Sequence, residues 1–172
     1  MAQGQGDSLE TILQNESVFK AVYELIPAED TFNVGNIFKV SFTKIYQCFD
    51  LYKEGKVLEA VGLIINKTFE EVLQLPANET MKFMKWLEQE ILKCSNLLNN
   101  IPSVNNPDMI AAGADRMNEL GEFAIYRAIT NDPREWKSLG DIEFELMYIK
   151  LKGDGIDSVI QRDYNEIIKN KK

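Results

Sequence analysis

Between Met81 and Leu98 the apolar residues Met84, Leu87, Ile91, Cys94 and Leu98 recur in alternating steps of three and four. That spacing stacks one side chain per turn on a single face of an α-helix, whereas a strand would scatter them over both sides. A stripe of this regularity has to be covered along most of its length by another helix. The same step returns in Leu9, Ile12, Leu13, Phe19, Val22, Tyr23 and Ile26, in Phe38, Phe42, Ile45, Phe49 and Tyr52, and in Ile156, Val159, Ile160, Tyr164, Ile167 and Ile168. Strand-like alternation occurs only in Ile142, Phe144, Leu146 and Tyr148. With no second strand to pair with them, Asp141 to Lys152 is read as helix. The chain is therefore expected to be all-α, a single domain of about six to seven amphipathic helices in an irregular bundle.

In order along the chain, residues 1–7 read as a flexible N-terminus and residues 8–172 as the domain, with a front part 8–98, a linker 99–107 and a back part 108–172. Ser8 caps the first helix, which ends at Pro27, and Pro27 to Gly35 is a loop. Lys56 to Asn66 carries a short apolar run, read as a buried helix with Gly62 at a close contact. Thr68 and Glu71 have the spacing of a capping box, and Asn78 is read as the next cap. The linker, Asn99 to Pro107, is rich in turn formers and holds two prolines. Asp108 caps a helix whose inner stripe, Ile110, Ala114, Met117, Gly121, Ala124 and Ala128, is rich in small residues, which places this helix at the centre of the fold. Asp132, Pro133 and Glu135 have the chemistry of a helix start: a capping carboxylate, a proline where a missing N–H is harmless, and an acid in the first turn. Gly153, Asp154 and Gly155 are read as a turn before the last helix.

Charge removes several functions. The chain carries 27 acidic and 19 basic residues, a net −8, which repels phosphate backbones and anionic lipid, so neither a nucleic-acid nor a membrane role is expected. The longest apolar run, Ala60 to Ile65, is far below a membrane span. Met1 to Gly6 has neither the basic start nor the hydrophobic stretch of a secretory signal, and the expected location is a cytoplasm: the host's for a viral protein, or the virion for a structural one.

Chemistry is equally sparse. There is no histidine, which removes Ser-His-Asp and Cys-His pairs and the usual zinc sets. Cys48 and Cys94 lie on or beside apolar stripes and are read as buried thiols. Ser17 to Lys20 and Ser41 to Lys44 match Ser-x-x-Lys without its companion motifs. Acids cluster at Glu70 and Glu71, at Glu88 and Glu90, at Asp141, Glu143 and Glu145, and at Asp154 and Asp157, positions at helix starts or on polar faces where solvation accounts for them. A carboxylate or metal-dependent enzyme is thus the third choice, and no catalytic, metal or cofactor residue is assigned. What remains is aromatic. Phe83 and Trp86 lie beside the main stripe of their helix, Arg134 and Trp136 follow the Asp132 cap, and Tyr148 comes after them. Tryptophan and arginine are enriched at binding hot spots, so these five are the candidate partner-binding residues; the alternative is that both tryptophans are core.

The run from Phe69 to Pro76 leading into a Phe/Trp-rich helix, and then Asn131, Asp132, Pro133, Arg134, Glu135 and Trp136 before an aromatic-bearing helix, resembles the small all-helical assembly proteins of tailed bacteriophages, particularly tail assembly chaperones. The resemblance spans roughly Thr68 to Leu151 and leaves residues 1 to 67 uncovered. It implies a non-enzymatic protein that binds hydrophobic segments of a protein partner, such as a tape-measure protein, and that self-associates through its helices. The alternative is a structural component of a virion or other particle.

Overall fold

A computed structural model of the protein describes residues 16–104 and 111–171. The expected free start at residues 1–7, the Ser8 cap with Leu9, Ile12 and Leu13, the end of the linker, and the Asp108 cap with Ile110 lie outside the described residues. Within them the chain is all-α: eight α-helices and no strand, with an antiparallel bridge between Ser41 and Glu143. The chain divides into two compact units, the first made of Met1–Val40 and Lys44–Cys94 and the second of Ser41–Thr43 and Ser95–Lys172.

The first unit holds α1 (Glu16–Leu25), a 3₁₀ turn Ile37–Lys39, most of α2 (Phe42–Lys53), α3 (Val57–Ile65), α4 (Phe69–Leu73) and most of α5 (Ala77–Asn99). Its core is aliphatic and sulfur-rich: Ile37, Ile45, Cys48, Val61, Val72, Met81 and Leu87 are all buried. The apolar run in α3 is buried as expected, and Gly62 sits so close to the Lys67 carbonyl that an added Cβ would come within 2.5 Å of it. The Thr68 capping box is present, with the Glu71 N–H donating to the Thr68 hydroxyl at 3.3 Å and the Thr68 N–H donating to the Glu71 carboxylate at 2.7 Å. Asn78, in contrast, is not a cap. The helix already begins at Ala77, because Pro76 ends the preceding turn and its carbonyl accepts both the N–H and the hydroxyl of Thr80 at 3.0 Å. Lys85 closes the other end of α1, its ammonium donating to the carbonyls of Tyr23, Glu24 and Ile26 at 2.8–3.1 Å. Those carbonyls have no partner within their own helix, so the lysine supplies both hydrogen bonds and the favourable sign of charge.

The second unit holds the 3₁₀ segment Ala114–Leu120, α6 (Glu122–Ile129), a 3₁₀ turn Pro133–Glu135, α7 (Trp136–Gly140) and α8 (Phe144–Asn170). Two expectations are corrected here. The small-residue stripe does not form one central helix. Gly121, at φ 54° and ψ −130°, takes a backbone conformation closed to other residues and breaks the segment in two. Ala128 is exposed and Met117 largely so, while the residue buried in α6 is Tyr126. Nor is there a turn at Gly153, Asp154 and Gly155. α8 runs straight through them, with Lys150 paired to Asp154 one helical turn on and the Ser158 hydroxyl donating to the Asp154 carbonyl at 2.8 Å. The alternating residues Phe144, Leu146 and Tyr148 lie within α8, as read; just before it the Phe42 N–H donates to the Ile142 carbonyl at 2.7 Å beside the Ser41–Glu143 bridge.

The two glycines of α8 have different reasons to be there. A methyl at Gly153 would meet open space, whereas at Gly155 it would lie 2.2 Å from the Pro102 carbonyl oxygen. Gly153→Ala is therefore expected to stabilise the protein by about 0.5–1 kcal/mol through helix propensity, and Gly155→Ala to destabilise it by about 1–3 kcal/mol through overpacking. Urea unfolding followed by circular dichroism measures both, and a turn at these residues would give no gain from Gly153→Ala.

Candidate interaction surface

α8 is held by one side only. Phe144 and Met147 are buried, Leu151 and Gly155 half-buried. Phe144 stacks on Phe42 with ring centroids 6.1 Å apart and planes 13° apart, and lies parallel to Tyr148 at 6.5 Å. Phe42 in turn meets Tyr126 edge to face at 6.1 Å. A backbone constraint locks this cluster: an added Cβ on Gly140 would lie 2.1 Å from the Thr43 hydroxyl, which itself bonds the Tyr126 hydroxyl at 2.8 Å.

The opposite side of α8 is apolar and uncovered. Leu146, Ile149, Ile156, Ile160, Tyr164 and Ile167 are each 42–60% exposed. At 3.6 residues per turn they fall within an arc of about 80°, and they run along about 30 Å of helix. From Ile160 to Lys171 every residue is exposed. Charges beside the stripe pair within the helix: Lys150 with Asp154, and Arg162 with Asp163 at 2.8 Å. A strip of this size is comparable with the largest apolar patch of a typical monomer, and such patches are often binding sites.

A second feature lies beside Trp136. The Asp132 cap is in place, accepting the Arg134 N–H at 3.0 Å, but it opens a 3₁₀ turn and then the five-residue α7. Thr130 organises the approach, with its hydroxyl donating to Glu135 at 2.7 Å and its carbonyl accepting the Trp136 indole N–H at 3.4 Å. Trp136 and Phe123 lie 5.7 Å apart and, with Thr43, Glu122, Tyr126 and Asp141, line an open cleft of about 450 Å³. Burial pushes the Tyr126 phenol up to about 12; the Thr43 hydroxyl opposes the shift and the Glu122 carboxylate, which accepts from the phenol at 3.0 Å, adds to it.

Of the five residues singled out from sequence, Phe83 is fully buried against Phe32 and Trp86 and is part of the core of the first unit. Its helix buries a wider face than the stripe alone suggested. Trp86 is half-buried beside it. Arg134 is exposed and clamps Asp132 with its guanidinium, which holds that carboxyl below its usual range. Trp136 is half-buried at the cleft, and Tyr148 lies under the Lys152 ammonium, 5.7 Å from the ring centre. The surface that sequence reasoning missed is the outward face of α8. Its apolar spacing was visible, but reading a turn at Gly153 cut the stripe in two and hid the continuity from Leu146 to Ile167.

Among the described residues no three His, Cys, Asp or Glu side chains gather where a metal ion could sit, and no helix is long and apolar enough to cross a membrane. Comparison with protein-family models, with curated proteins and with solved structures finds no match.

Both thiols are buried, and burial pushes Cys48 and Cys94 up to about 12. Neither is expected to react with a thiol reagent at pH 8 until the protein unfolds, when both should react. Tyr126 is one of five groups that set an alkaline limit. Burial raises Cys48 and Cys94 from 9 to about 12, Tyr126 from 10 to about 12, and Tyr23 and Tyr52 further still, so the stability supplied by their neutral forms is complete below about pH 9 and is lost as pH rises toward 12 and beyond. Urea midpoints should fall from about pH 9 upward, and Tyr126→Phe should remove only its own share of that fall.

Proposed function

We propose that this chain is a non-enzymatic helical interaction protein that binds an apolar helical segment along the outward face of α8. The observation that supports this most is the stripe from Leu146 to Ile167, apolar and exposed on a helix whose other side is packed from Phe144 to Gly155. The eleven helical residues from Ile160 to Asn170, all exposed, are marginal by themselves. A partner helix laid in the stripe would remove apolar area from water at roughly 25 cal/mol per Å² and stabilise that stretch at once. The net charge of −8 keeps such a surface in solution by mutual repulsion. The resemblance of Phe69 to Pro76 and Asn131 to Trp136 to tail assembly chaperones supports a finer reading, in which the guest is a hydrophobic helical segment of a tail protein held until assembly.

The test is binding of a fluorescent Leu/Lys amphipathic helix, followed by anisotropy. The native chain should bind it, and Ile160→Asp and Ile167→Asp should each weaken binding at least tenfold with circular dichroism unchanged. Because each substitution adds negative charge toward a cationic probe, loss of binding isolates the apolar contact from electrostatic attraction. Equal binding by native and substituted chains overturns the reading.

A further inference from the structure

The apolar stripe of α8 has a heptad register. Leu146, Gly153, Ile160 and Ile167 occupy one core position, and Ile149, Ile156, Asp163 and Asn170 the other, three residues on. The residues that pack within the unit, Phe144, Met147 and Leu151, fall on the far side of the same helix. We propose that the outward face of α8 pairs with the same face of a second copy of this chain, parallel and in register, as a short two-stranded coiled coil. This rests on the interaction reading above and names the occupant of that surface.

Charge at the edges of the stripe selects both the occupant and its direction. In a parallel pair each residue just before a core layer faces the residue five positions further along the partner helix. Lys152 then meets Asp157, Glu166 meets Lys171, and Val159 meets Tyr164, each twice by symmetry. All of these are exposed or half-exposed. Turned antiparallel, the same helices align Ile160 with Ile156 and Ile167 with Ile149 and bring Lys152 near Glu166, but they put Asp157 against Asp157 at the dyad and set Leu146 opposite Asn170 and Gly153 opposite Asp163. The parallel pair matches Leu146, Ile149, Ile156, Ile160 and Ile167 each with its own copy and gives two kinds of opposite-charge pair instead of one. Its weak layers are Gly153, which leaves a gap, Asp163, where two carboxylates face one another, each beside its own Arg162, and the polar Asn170 at the end. A strip about 30 Å long and about 10 Å wide covers about 300 Å², less than the ~800 Å² per partner of a standard stable interface. The pair is accordingly a reversible, concentration-dependent dimer.

Sedimentation equilibrium of the full chain should give a species of twice the chain mass with a dissociation constant in the micromolar range. Ile160→Asp should weaken it at least tenfold with helicity intact, and Asp163→Leu should tighten it at least tenfold. Lys152→Glu and Asp157→Lys should each weaken association, and the two together should restore it. Ile167→Cys alone should cross-link to its own copy under oxidation. A monomer at several hundred micromolar overturns the proposal, as does a dimer indifferent to these substitutions, or cross-linking that requires a mixture of Ile149→Cys and Ile167→Cys chains. A monomer that still binds the Leu/Lys helix through Ile160 and Ile167 overturns self-pairing and leaves the interaction reading standing.

Discussion

A helix can present a greasy side to solvent only if something else fixes it, and in this protein the fixing is done by Phe144. Its ring lies nearly parallel to those of Phe42 and Tyr148, and Phe42 is held by its own N–H to the Ile142 carbonyl. Stacked rings of this kind contribute roughly 0.5–1.5 kcal/mol each beyond their buried area. Without that anchorage the first turns of α8 would be free to roll and bury Leu146 and Ile149, and the strip that defines the surface would be consumed by the core. The glycine at 140 belongs to the same constraint, since any side chain there would push the Thr43 and Tyr126 hydroxyls away from the ring cluster.

Much of the architecture was legible because it rests on local rules. The Thr68 box, the Asp132 cap, the buried run of α3 with its close contact at Gly62, and the stripe of α5 all follow from short-range spacing, and all are present. What was not legible depends on where a distant backbone lies. Gly155 looks like a turn former until Pro102 is seen pressing on it. Asn78 looks like a cap until Pro76 is seen to have started the helix already. The stripe through Ala114 and Ala128 obeyed helical periodicity, but periodicity does not report the backbone angle of the glycine in its middle, and at Gly121 that angle forbids a continuous helix.

The candidate site illustrates a different limit. Composition pointed to tryptophan and arginine, residue types that carry binding energy in many interfaces, yet Phe83 and Trp86 are engaged with each other, and Arg134 with Asp132. Among the described residues, half of the exposed large apolar side chains lie on α8, and most of these are isoleucine or leucine, which are equally at home in a core. Only exposure separates the two uses. An amphipathic pattern states that one face must be buried; it does not state by what.

That distinction explains why α8 can be both a structural element and a docking element. Its sequence satisfies two helical stripes on opposite sides, one through Phe144, Met147 and Leu151 and one through Ile149, Ile156 and Ile160. A helix with two apolar sides needs two neighbours. The chain supplies the inner one along the first turns and stops at Gly155, where the glycine lets the segment at Ile101 and Pro102 come close. Beyond it the helix continues for more than three turns with no side chain buried, a length that local propensity supports weakly in water. The isoleucines of that extension weaken its helix propensity slightly relative to leucine or alanine, so local propensity does not account for their presence; contact with another surface, as proposed above, would. The exposed apolar strip thus starts beside the packed turns at Leu146 and outlasts them, running on past Gly155 to Ile167.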